Sequence, residues 1–148
     1  MGKKKHILIV GTGTIGEPLI GILADFRREL NIGHVIFHKR TPLVDEVAKV
    51  NSLIKRGARL AVNEALIPAF RELGHDVKYD FKTALSAADI VIDCTPAGNK
   101  HKKEYYTKYP DKLFIAQGSE KGFGLPYAYG INDEALKDAN SNFVQIVS

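Results

Sequence analysis

The chain has a single cysteine, Cys94, and no tryptophan among its 148 residues. A lone cysteine forms no intrachain disulfide and no cysteine-based zinc site, and it suits a reducing compartment. No apolar run approaches the roughly 20 residues of a membrane span. Met1-Gly2-Lys3-Lys4-Lys5 is basic, but only Ile7 to Val10 follow as an apolar stretch, too short for a secretory leader. A cytoplasmic protein without a membrane partner is expected. Charge of one sign is scarce too: 21 Lys and Arg stand against 17 Asp and Glu, a net +4. That excess can favour an anionic ligand, yet it lacks the clustered basic patch of a nucleic-acid binder, so no nucleic-acid partner is expected. The five histidines have no H-x-x-H type spacing, and no metal site is expected. Repeats and low-complexity segments are absent.

What remains is ordinary for a globular chain, with 45% hydrophobic and 26% charged residues, enough for one domain with a real core. Short β-branched runs alternate with helical patterns. His6–Val10 reads as a buried strand ending in glycine. Ile15, Leu19, Leu23, Phe26 and Leu30 share helical spacing, with Asn31-Ile32-Gly33 as the stop. Strands are expected at 34–38, 59–62, 77–81, 90–94, 113–116 and 143–147. Helices are expected at 43–55, opened by Thr41-Pro42, at 64–73, capped by Asn63, and at 83–88, 102–109 and 133–139. Residues 122–130 read as a structured loop. Such alternation predicts an α/β fold: a Rossmann-like, doubly wound, mostly parallel sheet forming a single domain. The loops after Val10, His38, Cys94 and Ala116 then meet at one edge of the sheet, where ligands bind.

The first of those loops reads Gly11-Thr12-Gly13-Thr14-Ile15-Gly16. G-x-G-x-x-G between a strand and a helix is the context for a dinucleotide. Gly11 permits the tight turn, Gly13 the approach of a pyrophosphate to the backbone, and Gly16 close packing of helix on strand. The free N–H groups and the helix dipole favour a diphosphate. The alternative is a plain strand-to-helix turn. Pro18 is tolerated only in the first turn, so the helix should begin near Thr14 or Ile15, and Glu17 must point away from the phosphates. The second strand ends in His38-Lys39-Arg40-Thr41, where an NAD-selective site carries a carboxylate. Two cations and a hydroxyl suit a 2′-phosphate, which predicts NADP binding at least as good as NAD binding. A solvated basic turn is the bland reading.

Ala88-Asp89-Ile90-Val91-Ile92-Asp93-Cys94-Thr95-Pro96-Ala97-Gly98 resembles the D-I-V-V-D-C-T-P-x-G stretch of archaeal-type (type II) glyceraldehyde-3-phosphate dehydrogenase. Phe114 to Lys121 is similar to that family's F-Q-G-G-E-K. Gly13-Thr14-Ile15-Gly16 and Lys39-Arg40-Thr41-Pro42 also fit, and Val144 to Ser148 is similar to the R-V-V-S that precedes its nucleophilic C-N-T. The resemblance covers the whole chain. It implies that residues 1–148 are the cofactor domain, with the family's catalytic domain absent, so that this chain binds cofactor and holds no catalytic group. In the parent protein, glyceraldehyde 3-phosphate would be oxidised to 1,3-bisphosphoglycerate through a cysteine thioester, in a homo-oligomer that the resemblance makes a tetramer.

The resemblance further implies that Thr14 and Ile15 contact the pyrophosphate and that Lys39, Arg40 and Thr41 surround the adenosine 2′ position. Thr95, Pro96 and Gly98 would line the crevice, Gly118 would lie near the nicotinamide, and Ser148 would border the substrate phosphate. Val10, Thr12, Glu17-Pro18 and Ser119 depart from the family pattern.

Other residues carry blander expectations. Cys94 reads as a small buried hydrophobe, not a nucleophile. Asp93 should cap a neighbouring loop. Lys100-His101-Lys102-Lys103 reads as a solvated helix start, and Tyr105, Tyr106 and Tyr109 as packing. Different functions also remain open: another two-domain oxidoreductase of semialdehyde or homoserine dehydrogenase type, or a stand-alone nucleotide sensor.

Overall fold

The structure is a computed structural model that describes residues 3–117, 121–137 and 141–147. Its centre is one eight-stranded sheet. The strands are β1 (Lys5–Val10), β2 (Ile32–His38), β3 (Arg59–Val62), β4 (Val77–Asp80), β5 (Ile90–Asp93), β6 (Leu113–Gln117), β7 (Leu125–Tyr127) and β8 (Phe143–Ile146). Their order across the sheet is β4-β3-β2-β1-β5-β6-β8-β7, and every pairing is parallel. The helices are α1 (Gly16–Asp25), α2 (Val47–Lys55), α3 (Ile67–Glu72), α4 (Phe81–Ala87), α5 (Gly98–Glu104) and α6 (Glu134–Lys137). Among the described residues no helix is long and apolar enough to cross a membrane.

The period of two along β1 builds both faces. Ile7 and Ile9 join Ile20 and Ala24 of α1, Val50 and Leu53 of α2 and Phe70 of α3 in one core. Leu8 and Val10 join Ala84 and Leu85 of α4, Val91, Tyr106 and Phe114 in the other. A parallel strand covered on both sides must be apolar throughout, as β1 is over Ile7–Val10. The chain runs outward from β1 to β4, returns to place β5 on the other side of β1, and runs outward again. That reversal makes a doubly wound, Rossmann-like α/β fold, with its switch point between β1 and β5.

The element boundaries depart from the sequence pattern in instructive places. Helix α1 ends at Asp25 instead of running to Leu30. The Arg27 guanidinium bonds the Ala24 carbonyl at 2.6 Å and reaches the Arg56 carbonyl at 3.1 Å, which closes the helix against α2. Asn31, at φ 55°, makes the left-handed turn assigned to Gly33, which instead lies within β2. The buried face of α1 is Ile20 and Ala24, while Ile15, Ile22, Phe26 and Leu30 are about half exposed. Thr41 and Asn63 do not cap: residues 44–46 and 64–66 form 3-10 turns whose caps have no side-chain hydrogen bond. Helix α4 is capped by Asp80, which accepts from the Thr83 N–H at 2.9 Å. Helix α5 begins at Gly98, four residues before the expected start. Strand β7 lies inside the segment read as loop.

Candidate functional site

The switch point brings three loops together. The Gly11–Gly16 loop leaves β1. The Gly11 N–H donates to the His38 carbonyl at the end of β2, 3.2 Å away. On its other side, a Cβ at Gly11 would stand 2.9 Å from Thr95 Cγ2, beyond β5. Gly11 also holds φ +105°, where glycine alone is unstrained. Thus the loops after β1, β2 and β5 touch at one place, as parallel topology requires of adjacent strand ends.

The other two glycines differ in what demands them. A Cβ at Gly16 would lie 2.0 Å from the Gly11 carbonyl oxygen, so the turn itself needs glycine there. At Gly13 a Cβ would meet nothing within 4 Å among the described residues. The fold does not require glycine at that position. Thr14 and Ile15 are exposed beside it.

Helix α1 starts directly on the glycine loop. The Glu17 N–H bonds the Gly13 carbonyl at 3.0 Å, so the first turn closes on the loop. Pro18 sits in that turn, where a missing donor costs nothing. Glu17 lies beside Lys49, with 3.6 Å between charged atoms.

On the β2 side the cations are unequal. Lys39 is buried, its ammonium paired with Glu46 and 3.4 Å from Thr12 Oγ1. Hydrogen bonds from Lys39, and then from Lys49 at 3.0 Å, hold the Glu46 carboxyl below its ordinary range. Arg40 is exposed and makes no ion pair among the described residues. Thr41 is exposed and stands outside the lining of the crevice. His38 is buried, and burial pushes its pKa below the ordinary value. Its Nε2–H donates to Asn63 Oδ1 at 2.9 Å.

On the β5 side Asp93 organises the turn. It is 1% exposed and accepts from the Thr95 N–H at 2.9 Å and the Thr95 hydroxyl at 2.7 Å. It also accepts from His101 Nδ1 at 2.7 Å and the Tyr106 hydroxyl at 2.6 Å. Burial works to raise its pKa. The bonds from His101, Tyr106 and Thr95 outweigh that and leave the carboxyl below its ordinary value. Burial and the neighbouring carboxylate drive the Tyr106 phenol the other way, so it stays a neutral donor. The Thr95 hydroxyl passes the order on, accepting from the Ala97 N–H at 3.1 Å. The turn Thr95-Pro96-Ala97 is therefore braced before buried Gly98 opens α5. Cys94 is half-buried against the α1 core, and burial followed by Asp93 raises its thiol to about 12.

Two adjoining hollows form the crevice above these strand ends. One, of about 230 Å³, is lined by Val10, Gly11, His38, Arg40, Thr95 and Pro96, among others. The second, of about 200 Å³, continues past Arg40 to Asn63, Phe81, Lys100, His101 and Tyr105. Gly118 and Ser148 lie outside the described residues.

The residues that sequence reasoning missed are His101, Lys100, Asn63, Phe81 and Tyr105. The run at residues 100–103 looked like a solvated helix start. In the structure His101 turns inward to Asp93, and Lys102 Nζ lies 4.3 Å from the centre of the Phe143 ring. The i, i+8 spacing of Asp93 and His101 across a strand-to-helix turn was the one available signal.

No family model matches the chain. It is similar to the solved short chain alcohol dehydrogenase RspB from E. coli CFT073, complexed with its cofactor NADH. The match has 20% identity and a TM-score of 0.49, and it covers 81% of this chain and 31% of that one. The chain thus spans about a third of that enzyme's length. The fold assignment rests on the strand order itself and not on this likeness.

Proposed function

We propose that the chain is the NAD(P)-binding domain of an oxidoreductase, with the diphosphate held by the Gly11–Gly16 loop. The observation that carries this is the contrast between Gly16, which the turn demands, and Gly13, which the described residues leave free to carry a side chain. The diphosphate would meet the exposed Gly13–Ile15 backbone at the head of α1, where the helix dipole adds about half a positive charge. A bound nicotinamide cofactor would supply hydride transfer. The chain's own part is binding and orientation: Gly11, Gly13, Thr14, Ile15 and Gly16 for the diphosphate, and Arg40 for the β2 side, where Lys39 is paired with Glu46 and Thr41 stands outside the crevice. Thr95 and Pro96 would form the opposite wall, while Gly98 is buried at the start of α5.

The finer reading is the family of the sequence resemblance, phosphorylating glyceraldehyde-3-phosphate dehydrogenase. It is supported by the roles of its two long motifs. Thr95, Pro96 and Ala97 of the first motif line the crevice, and the Phe114–Gln117 stretch of the second lies in β6, two strands from β1. Cys94 has the wrong ionisation for a thioester-forming nucleophile, so that group would belong to another part of the parent protein. Gly118 would adjoin the nicotinamide and Ser148 the substrate phosphate. An apolar hollow of about 390 Å³, lined by Leu113, Ile115, Tyr127, Leu136, Val144 and Ile146, supports a further body of protein packing on that half of the sheet. This favours an enzyme domain over a stand-alone sensor.

Calorimetric titration with NAD and NADP tests the domain reading, and micromolar binding of either supports it. The family reading is tested on the gene and on the parent protein. A Cys-Asn-Thr motif encoded directly beyond Ser148, with phosphate-dependent oxidation of glyceraldehyde 3-phosphate, supports it. Another motif there removes it.

A further inference from the structure

The β2 turn offers a 2′-phosphate fewer cations than its sequence suggests. Lys39 is buried and its ammonium is held by Glu46 and Thr12. Turning it to a ligand would break this ion pair and leave Glu46 with Lys49 alone as its partner. Arg40 is the only member of Lys39-Arg40-Thr41 that lines the crevice. Across the same 200 Å³ hollow stand Lys100 and His101 on α5. Lys100 is exposed and makes no ion pair among the described residues. His101 uses Nδ1 on Asp93, and its other ring nitrogen makes no hydrogen bond among the described residues.

We infer that the added phosphate of a 2′-phosphorylated adenosine cofactor is gripped between Arg40 on the β2 turn and Lys100 with His101 on α5. This rests on the dinucleotide reading and names the residues that would set its cofactor preference. Arg40 supplies a fork that matches phosphate oxygens. Lys100 supplies a mobile point charge. His101 supplies a positioned ring nitrogen that would donate to the phosphate as an imidazolium, while its Nδ1–H stays on the Asp93 carboxylate that Tyr106 and Thr95 hold in turn. Its position is therefore set by the β5 turn, so the two arms of the grip belong to the two strands that flank β1. His38 and Asn63 satisfy each other in the lining between them, where Phe81 and Tyr105 pack edge to face, 5.2 Å between ring centres. One charge opposes the grip: Glu104, one turn beyond Lys100, lines the same hollow. Asp93, buried beneath His101, is the other carboxylate nearby.

The test compares two ligands that differ only in the group at issue, adenosine 2′,5′-bisphosphate and 5′-AMP, by calorimetry on the full chain, with NADP and NAD alongside. The wild-type protein is expected to prefer the 2′-phosphorylated member of each pair. Arg40→Ala lowers that preference roughly tenfold, and Lys100→Ala and His101→Gln each lower it roughly threefold to tenfold, the range for one charge-assisted contact at a partly exposed site. Glu104→Gln raises it. Circular dichroism confirms that each variant is folded. A preference that is untouched by both Lys100→Ala and His101→Gln overturns the inference. So does one that responds only to Lys39→Met, which returns the phosphate to the β2 turn. If the wild type binds NAD and 5′-AMP without preferring the 2′-phosphorylated partner, this subsite fails while the dinucleotide reading stands. If it binds none of the four, both fail.

Discussion

Gly16 lies so close to Gly11 that a Cβ on the first would stand 2.0 Å from the carbonyl oxygen of the second. Neither atom can move without opening the β1–α1 turn, because the Gly11 N–H is tied to His38 and α1 is packed through Ile20 and Ala24. Gly16→Ala should therefore destabilise the protein by about 3 kcal/mol or more, at the upper end for overpacking. Gly13→Ala should stay within about 1 kcal/mol of wild type, since its site is open and its φ is not positive. Urea denaturation of the two variants checks the pair. Equal losses at both positions would mean that the loop is built for packing alone.

Asp93 is the hub of the β5 turn, with four donors on one buried carboxylate. Removing its charge leaves His101, Tyr106 and Thr95 poorly matched. Asp93→Asn should cost about 2–4 kcal/mol, and Tyr106→Phe about 1–2 kcal/mol. If the double variant loses the sum of the two single costs, the bond between them contributes nothing, so a double-mutant cycle is the decisive form of the measurement.

Stability should also fall in acid, in two stages. Burial lowers the pKa of His38 from its ordinary 6.5, so below that value the unfolded chain takes up a proton that the folded one refuses. The stability this confers is full above 6.5 and is lost as pH falls toward the folded-state value. Asp93 acts with the same sign in a lower window. Its contribution is full above the ordinary 3.8 and is lost as pH falls through its depressed folded value. Urea midpoints between pH 7.5 and 5 should slope downward, and His38→Asn should flatten part of that slope. An unchanged slope in the variant would assign the effect to other groups, such as His34 and His75, which burial shifts the same way.

Cys94 should be inert in the folded protein. With its thiol raised to about 12, almost none is thiolate at pH 8. Iodoacetamide should modify it orders of magnitude more slowly than it modifies free cysteine, and at the free rate only in denaturant. Rapid labelling of the native protein would contradict the environment described for it.

The parts of this account that were legible in the sequence are those governed by local pattern. The apolar run Ile7–Val10 and the glycine spacing after it announce β1, its turn and the start of α1. The strand-helix alternation announces a parallel sheet. What was hidden depends on partners distant in the chain. The end of α1 is set by the Arg27 side chain bonding carbonyls on two helices, which no apolar periodicity encodes. Strand β7 is three residues with a central proline, and it exists because β8 pairs with it. The Asn63 side chain is drawn from a cap to His38, and the Lys39 ammonium from the crevice to Glu46. His101 looked solvated because its neighbours in the chain are lysines. Its true neighbour is Asp93.

The central claim is that the crevice at the β1–β5 switch point holds a nicotinamide dinucleotide on the glycine loop. The most direct measurement is calorimetric titration of NAD and NADP into the wild-type chain and into Gly13→Asp. The open position accepts the new side chain without refolding, and its carboxylate would meet the diphosphate head-on. Saturable one-to-one binding to the wild type is expected, with a loss of at least a hundredfold in the variant and unchanged circular dichroism. Binding of equal strength to both proteins, or to neither, would contradict that claim.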